Sequence, residues 1–154
     1  MTGTLMAARE TLIENLDAGA ICPCCEKYVR RYRRRFNSSM ARALCWLVRE
    51  SPKGEAWIDV PNFAPDWLTR TNQLPTVRWW SLIERGRDDD PKTKHSGRWR
   101  PTQRGIDFVR NGGTIPSTVV TYNGQVFGYE GSPVTIHDTL GVKFDYSAIM
   151  RGEG

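Results

Sequence analysis

No stretch of this 154-residue sequence approaches the run of about 18 apolar residues that a membrane-spanning helix needs, so no membrane association is expected. Histidine is nearly missing, with His95 and His137 alone. There is no glycine-rich phosphate loop, no Ser-His-Asp arrangement and no His-Glu-x-x-His motif. The signatures of nucleotide hydrolysis, acyl transfer and zinc proteolysis are therefore lacking. Four cysteines are present, and in a cytoplasmic protein no permanent disulfide is expected among them. The opening residues, MTGTLMAARETLIENLD, carry three acidic side chains and no cleavable apolar core. The expectation is a protein without a signal peptide, acting in the cytoplasm.

What is present is apolar content of 39% with six tryptophans, enough for one core and a small appendage. The net charge is +5 and the pI about 9.2, with the positive charge unevenly placed. Arg30, Arg31, Arg33, Arg34 and Arg35 fall within six residues. Arginine's planar fork donates two parallel hydrogen bonds to phosphate, so the cluster points toward nucleic acid or another polyanion.

Leu5, Ala8, Leu12, Ile13 and Leu16 recur at helical spacing, which predicts a packing or dimerisation helix. Cys22 and Cys25 then form a C-x-x-C pair with Cys24 between them. Such a pair presents two thiolates to one zinc ion, which wants four ligands. Cys24 is a candidate third, or the thiols stay reduced in a plain turn. A redox role lacks the βαβ context it needs. Over Glu26–Phe36 the spacing of Tyr28, Tyr32 and Phe36 predicts a helix with a narrow aromatic stripe, its remaining surface arginine.

Asn37-Ser38-Ser39 signals the start of a core helix carrying Met40, Ala43, Leu44, Leu47 and Val48. Cys45 lies inside it and reads as a small buried apolar residue. Ala56–Val60 reads as a short strand. Leu74-Pro75 opens a helix that runs to Leu82, with Val77 and Trp80 inward. Leu82-Ile83-Glu84 begins a strand, and residues 85–97 form a polar loop with no large apolar side chain. The chain returns through Trp99-Arg100-Pro101 into Thr102, which caps a helix over Gln103–Arg110. Asn111-Gly112-Gly113 stops it.

Leu82-Ile83-Glu84-Arg85 before the loop and Trp99-Arg100-Pro101-Thr102-Gln103-Arg104-Gly105 after it resemble the wing and closing helix of a winged-helix domain, over residues 38–112. The resemblance implies that the helix before the wing enters the major groove of duplex DNA. Thr71, Asn72, Gln73, Thr76, Arg78 and Trp79 would then face bases, with Asn, Gln and Arg the readers of base edges. Arg85, Arg87, Lys92, Lys94, His95, Arg98 and Arg100 would line the wing and its phosphate contacts. Asp88-Asp89-Asp90 oppose phosphate at the tip and read as solvated turn residues. The stretches CPCCEKYVRRYRRRFNSSMARAL, SGRWRPTQRGIDFVRNGG and VTYNGQVFGYEGSPVTIHD are also similar to small proteins of bacteriophages and prophages, which implies a bacterial host cell.

Ser117–Glu130 holds two alternating runs around Asn123-Gly124, a hairpin signal. Val134–Ile136 reads as a third strand, and Asp145 as the cap of a final short helix. His137 and Asp138 are sequence neighbours whose side chains diverge, so they make no acid–base pair.

The expected architecture is α+β. Residues 1–36 hold the N-terminal helix, C-x-x-C turn and arginine-rich helix, and residues 37–113 a winged-helix-like domain. Residues 114–154 form an antiparallel β-hairpin appendage. The leading function is non-enzymatic binding of double-stranded DNA by a homodimer, with zinc the one cofactor suggested. Two alternatives stay open. One is a phage factor that binds and inhibits a host protein through exposed tryptophans and arginines. The other is a metal-dependent nuclease using Asp88–Asp90 and His95.

Overall fold

The computed structural model describes residues 19–21, 28–29, 31–86, 97–122 and 125–152. The chain is α+β. In order, its elements are β1 (Ala20–Ile21), β2 (Tyr28–Val29), β3 (Tyr32–Arg35), α1 (Ser38–Glu50), β4 (Ile58–Asp59), α2 (Val60–Phe63), α3 (Asp66–Thr71), a 3-10 helix (Leu74–Trp80), β5 (Ile83–Arg85), β6 (Arg98–Pro101), α4 (Gln103–Arg110), β7 (Ile115–Tyr122), β8 (Gln125–Val134), α5 (Ile136–Leu140) and α6 (Tyr146–Met150). Two compact units divide the chain. Met1–Arg35 with Thr118–Glu130 makes one, and Phe36–Ser117 with Gly131–Gly154 the other. The expected appendage at 114–154 is thus split: the hairpin groups with the N-terminal residues and the tail with the central domain.

In the first unit β1 pairs antiparallel with β2, and β3 pairs antiparallel with β7, in a sheet ordered β3-β7-β8. The expected arginine-rich helix over 26–36 is corrected here, because Tyr28–Val29 and Tyr32–Arg35 are strands. Tyrosines four apart fit a helical stripe, but tyrosine and valine also suit a pleated surface. Pairing decides between them, with Tyr32 opposite Thr121 and Arg34 opposite Val119. The predicted helix at Leu5–Leu16, the C-x-x-C cysteines, Arg30 and the turn at Asn123-Gly124 lie outside the described residues.

The second unit is built around α1. Eight of its 13 residues are buried, from Met40 to Val48, because α4, α5, α6, β6 and the 3-10 helix all pack against it. Asn37 starts the helix by accepting the Met40 N–H at 2.8 Å. Phe36 meets the Trp80 ring edge-on at 5.1 Å and the Phe108 ring at 5.7 Å. Trp80 is fully buried, and its indole N–H donates to the Pro116 carbonyl at 2.8 Å.

A third sheet runs β4-β6-β5, antiparallel throughout. It leads into α4 through Thr102, whose hydroxyl accepts from the Gly105 N–H at 3.2 Å and donates to the Ser81 carbonyl at 2.6 Å. Gly105 lies against the Leu82 carbonyl so closely that an added Cβ would sit 2.1 Å from that oxygen. The expected strand over Val134–Ile136 ends at Val134, because a reciprocal capping box between Thr135 and Asp138 starts α5 there. Asp145 caps α6 as expected, accepting the Ser147 N–H at 3.0 Å.

Candidate nucleic-acid interface

Side chains alternate across a strand, so the register of β5 and β6 decides which charges share a face. Glu84 lies opposite Arg100 and Arg85 opposite Trp99. Arg98, Arg100 and Glu84 therefore project from one face of the sheet, while Trp99 turns into the core at 4% exposure. Trp57, just ahead of β4, carries the Arg100 guanidinium 4.1 Å above its ring. The Arg85 guanidinium rests over the Trp99 ring at 4.6 Å. Arg100 also pairs with Glu84 through its Nε. A guanidinium stacked on a ring keeps its N–H donors in the plane away from that ring, where an anion can meet them.

Gly86 lies close to its neighbours. A Cβ there would lie 3.2 Å from the Arg98 Cβ and 3.3 Å from the Trp57 ring. A groove of about 470 Å³ here is bordered by Trp57, Glu84, Arg85, Gly86, Arg98 and Arg100. Arg98 and Arg100 come from one face of β6, Arg85 from the Trp99 side of β5, and Asp59 lies opposite Arg98 across β4 and β6. Arg78 adds to the field from the 3-10 helix. Burial, and next the Arg85 charge, hold its pKa below the usual arginine value.

The remaining candidates distribute as follows. Arg87, Lys92, Lys94 and His95, with Asp88–Asp90, lie outside the described residues, as do Cys22, Cys24, Cys25 and the zinc assigned to them. The expected base-facing helix over Pro75–Leu82 is a 3-10 helix over Leu74–Trp80, with Leu74, Val77 and Trp80 buried. Trp79 is half-buried. Several of its polar side chains turn back on their own backbone. Gln73 donates to the Thr71 carbonyl at 3.2 Å, the Thr76 hydroxyl to the Gln73 carbonyl, and Arg78 to the Pro75 carbonyl at 2.9 Å. Asn72 occupies the left-handed position, φ 49°, that ends α3.

In the first unit the arginines share no single face, because β3 sends Arg33 and Arg35 one way and Tyr32 and Arg34 the other. Arg33 pairs with Glu130 at 2.9 Å, and Arg31 stacks over the Phe127 ring at 4.5 Å. The continuous arginine ridge expected of a helix is therefore not formed.

Trp57 and Trp99 were not among the sequence candidates, although the alternation Arg98-Trp99-Arg100 signals two arginines on one face and a tryptophan on the other. Arg42 shows the same habit, with its guanidinium 3.8 Å from the Trp67 ring and 4.9 Å from the Phe144 ring. Among the described residues no group of three His, Cys, Asp or Glu side chains is placed to hold a metal. Cys45 is buried, and desolvation raises its thiol pKa to about 12. Among the described residues no helix is long and apolar enough to cross a membrane. Comparison of the chain with protein-family models, with curated proteins and with solved structures gives no match.

Proposed function

We propose that the second unit is a winged-helix-like, non-enzymatic module that binds double-stranded DNA, in a protein of bacteriophage type acting inside a bacterial cell. The observation that carries this reading is the gathering of Arg85, Arg98 and Arg100 where β5 ends and β6 begins, two of them stacked on tryptophan. The order of elements supports it: a core helix, a strand, short helices, then two paired antiparallel strands, with β6 between β4 and β5. That is the order in which a winged helix presents its wing.

The chemistry proposed is contact with phosphate, which gives affinity and register without reading sequence. The compact 3-10 helix supports base reading less, since Gln73 and Arg78 bond their own backbone. An electrophoretic binding series on duplex DNA across salt concentrations tests the proposal. Binding at low salt that weakens steeply as salt rises is the expected result. No binding at low salt, or binding indifferent to salt, would overturn it.

A further inference from the structure

Arg42 projects from α1 into a clamp made by two other parts of the second unit. Its guanidinium lies 3.8 Å from the centre of the Trp67 ring in α3 and 4.9 Å from that of Phe144, in the turn between α5 and α6. Both rings are half-buried. Arg33, Arg49 and Arg100 each pair with a glutamate, whereas Arg42 has no carboxylate in reach among the described residues. Its Nε is buried and has no hydrogen-bond partner there. Burial holds its pKa below the usual arginine value, and no neighbouring charge offsets that shift. Asp66 and Arg70 flank Trp67 in sequence, and Lys143 and Asp145 flank Phe144, so these four charges cancel. Asp145 is committed to the Ser147 N–H at 3.0 Å. Arg42 is left as a held, partly desolvated cation without a counter-charge.

We propose that this clamp is a docking site for a carboxylate side chain of a protein partner, met end-on by the terminal amino groups of Arg42. A guanidinium gripped by its faces offers an anion the N–H groups in its plane, and with Nε buried the terminal ones remain. The rings order the side chain in advance, so docking costs little rotamer entropy. One guanidinium balances the single charge of a glutamate or aspartate, while a phosphate monoester carries nearly two. Val142, two residues before Phe144, stands fully in solvent and adds apolar surface at the rim. A charged pair ringed by apolar side chains that exclude water is the arrangement of an interface hot spot. The partner surface therefore carries an acidic residue among aliphatic ones. The inference does not rest on DNA binding.

The test is an NMR titration of the full-length protein with a capped pentapeptide holding glutamate between two leucines, and with its glutamine analogue. The Arg42 Nε–H and Trp67 indole N–H resonances report binding. The glutamate peptide should shift both saturably and bind about tenfold more tightly than the analogue. Arg42→Gln, followed at Trp67, should abolish that preference, and Arg42→Lys should restore only part of it, because an ammonium lacks the planar fork. Val142→Asp, at a position where the fold is not at stake, should weaken the glutamate peptide about threefold through like-charge repulsion and spare the analogue. Arg42→Gln should keep the wild-type duplex affinity, so a failure here is distinct from a failure of the DNA proposal. No saturable shift, equal binding of the two peptides, or an unchanged preference in Arg42→Gln would each overturn the inference. Displacement of the peptide by inorganic phosphate, or loss of duplex affinity in Arg42→Gln, would also overturn it, by giving the clamp to phosphate.

Discussion

Arg100 stands 4.1 Å above the Trp57 ring while its Nε pairs with Glu84, so a π face and a carboxylate hold one guanidinium together. A long flexible side chain is thereby ordered before any ligand arrives, and less entropy is lost when phosphate binds. Trp57→Ala removes the ring without removing a charge. It should weaken duplex binding about twofold to fivefold, the equivalent of a cation–π contact of roughly 0.5–1 kcal/mol at an exposed site. Titration at fixed salt measures this, and wild-type affinity in Trp57→Ala would mean that the stacking does nothing for binding.

Gly105 reverses a common expectation. In the first turn of an ordinary helix, glycine to alanine gains up to about 1 kcal/mol. Here the new Cβ would sit 2.1 Å from the Leu82 carbonyl oxygen, a backbone atom that accepts the Thr102 N–H at 2.9 Å. Gly105→Ala should therefore destabilise the protein by about 2 kcal/mol or more. Urea denaturation measures it, and a gain in stability would show that α4 and β5 are not packed this closely.

Much of this was legible in the sequence where local chemistry and tertiary context agree. Asn37 and Thr102 cap helices because a short polar side chain before an apolar stripe has one good use, and Asn37 does bond the Met40 N–H. The helical reading of residues 28–35 fails because tyrosines four apart satisfy the helical period, while pairing captures Tyr28–Val29 against nearby β1 and Tyr32–Arg35 against β7, about 90 residues away. The Thr135–Asp138 box is written in the sequence, but it competes with a weakly apolar run that also reads as strand. The stacking of Arg85 and Arg100 depends on which residues face each other across β4, β6 and β5, and on the space at Gly86. No local pattern fixes that register.

The core contains a polar commitment at Trp80. Its indole is fully buried and donates to the Pro116 carbonyl at 2.8 Å. Trp80→Phe keeps aromatic volume but leaves that carbonyl without its donor, so it should cost about 1–3 kcal/mol. Trp80→Ala should cost about 3–5 kcal/mol through the cavity it adds. Chemical denaturation of both variants checks the order, and an unaffected Trp80→Phe would show that the bond contributes nothing.

Cys45 should be chemically silent in the folded protein. Desolvation pushes its thiol up to about 12 against an ordinary 9.0, with Arg110 pulling weakly the other way. The folded state thus holds the proton to higher pH than the unfolded chain does. Stability from this group is complete below about pH 9 and falls as pH rises from 9.0 toward 12. Alkylation at pH 8 followed by peptide mapping should leave Cys45 unlabelled until denaturant is added. Labelling in the native state would contradict its burial.

The proposal that phosphate is met beside β5 and β6 is tested most directly by replacing Arg85, Arg98 and Arg100 together with glutamine and measuring duplex affinity against salt. The fold should survive, because an exposed pair such as Arg100–Glu84 adds at most about 1 kcal/mol. The wild-type plot of log affinity against log salt should be linear and steep, and the variant's should be shallower by roughly 0.9 for each phosphate no longer neutralised. A variant that matches the wild type in both affinity and slope would place DNA binding elsewhere on the protein, and a wild type that binds no duplex would end the assignment.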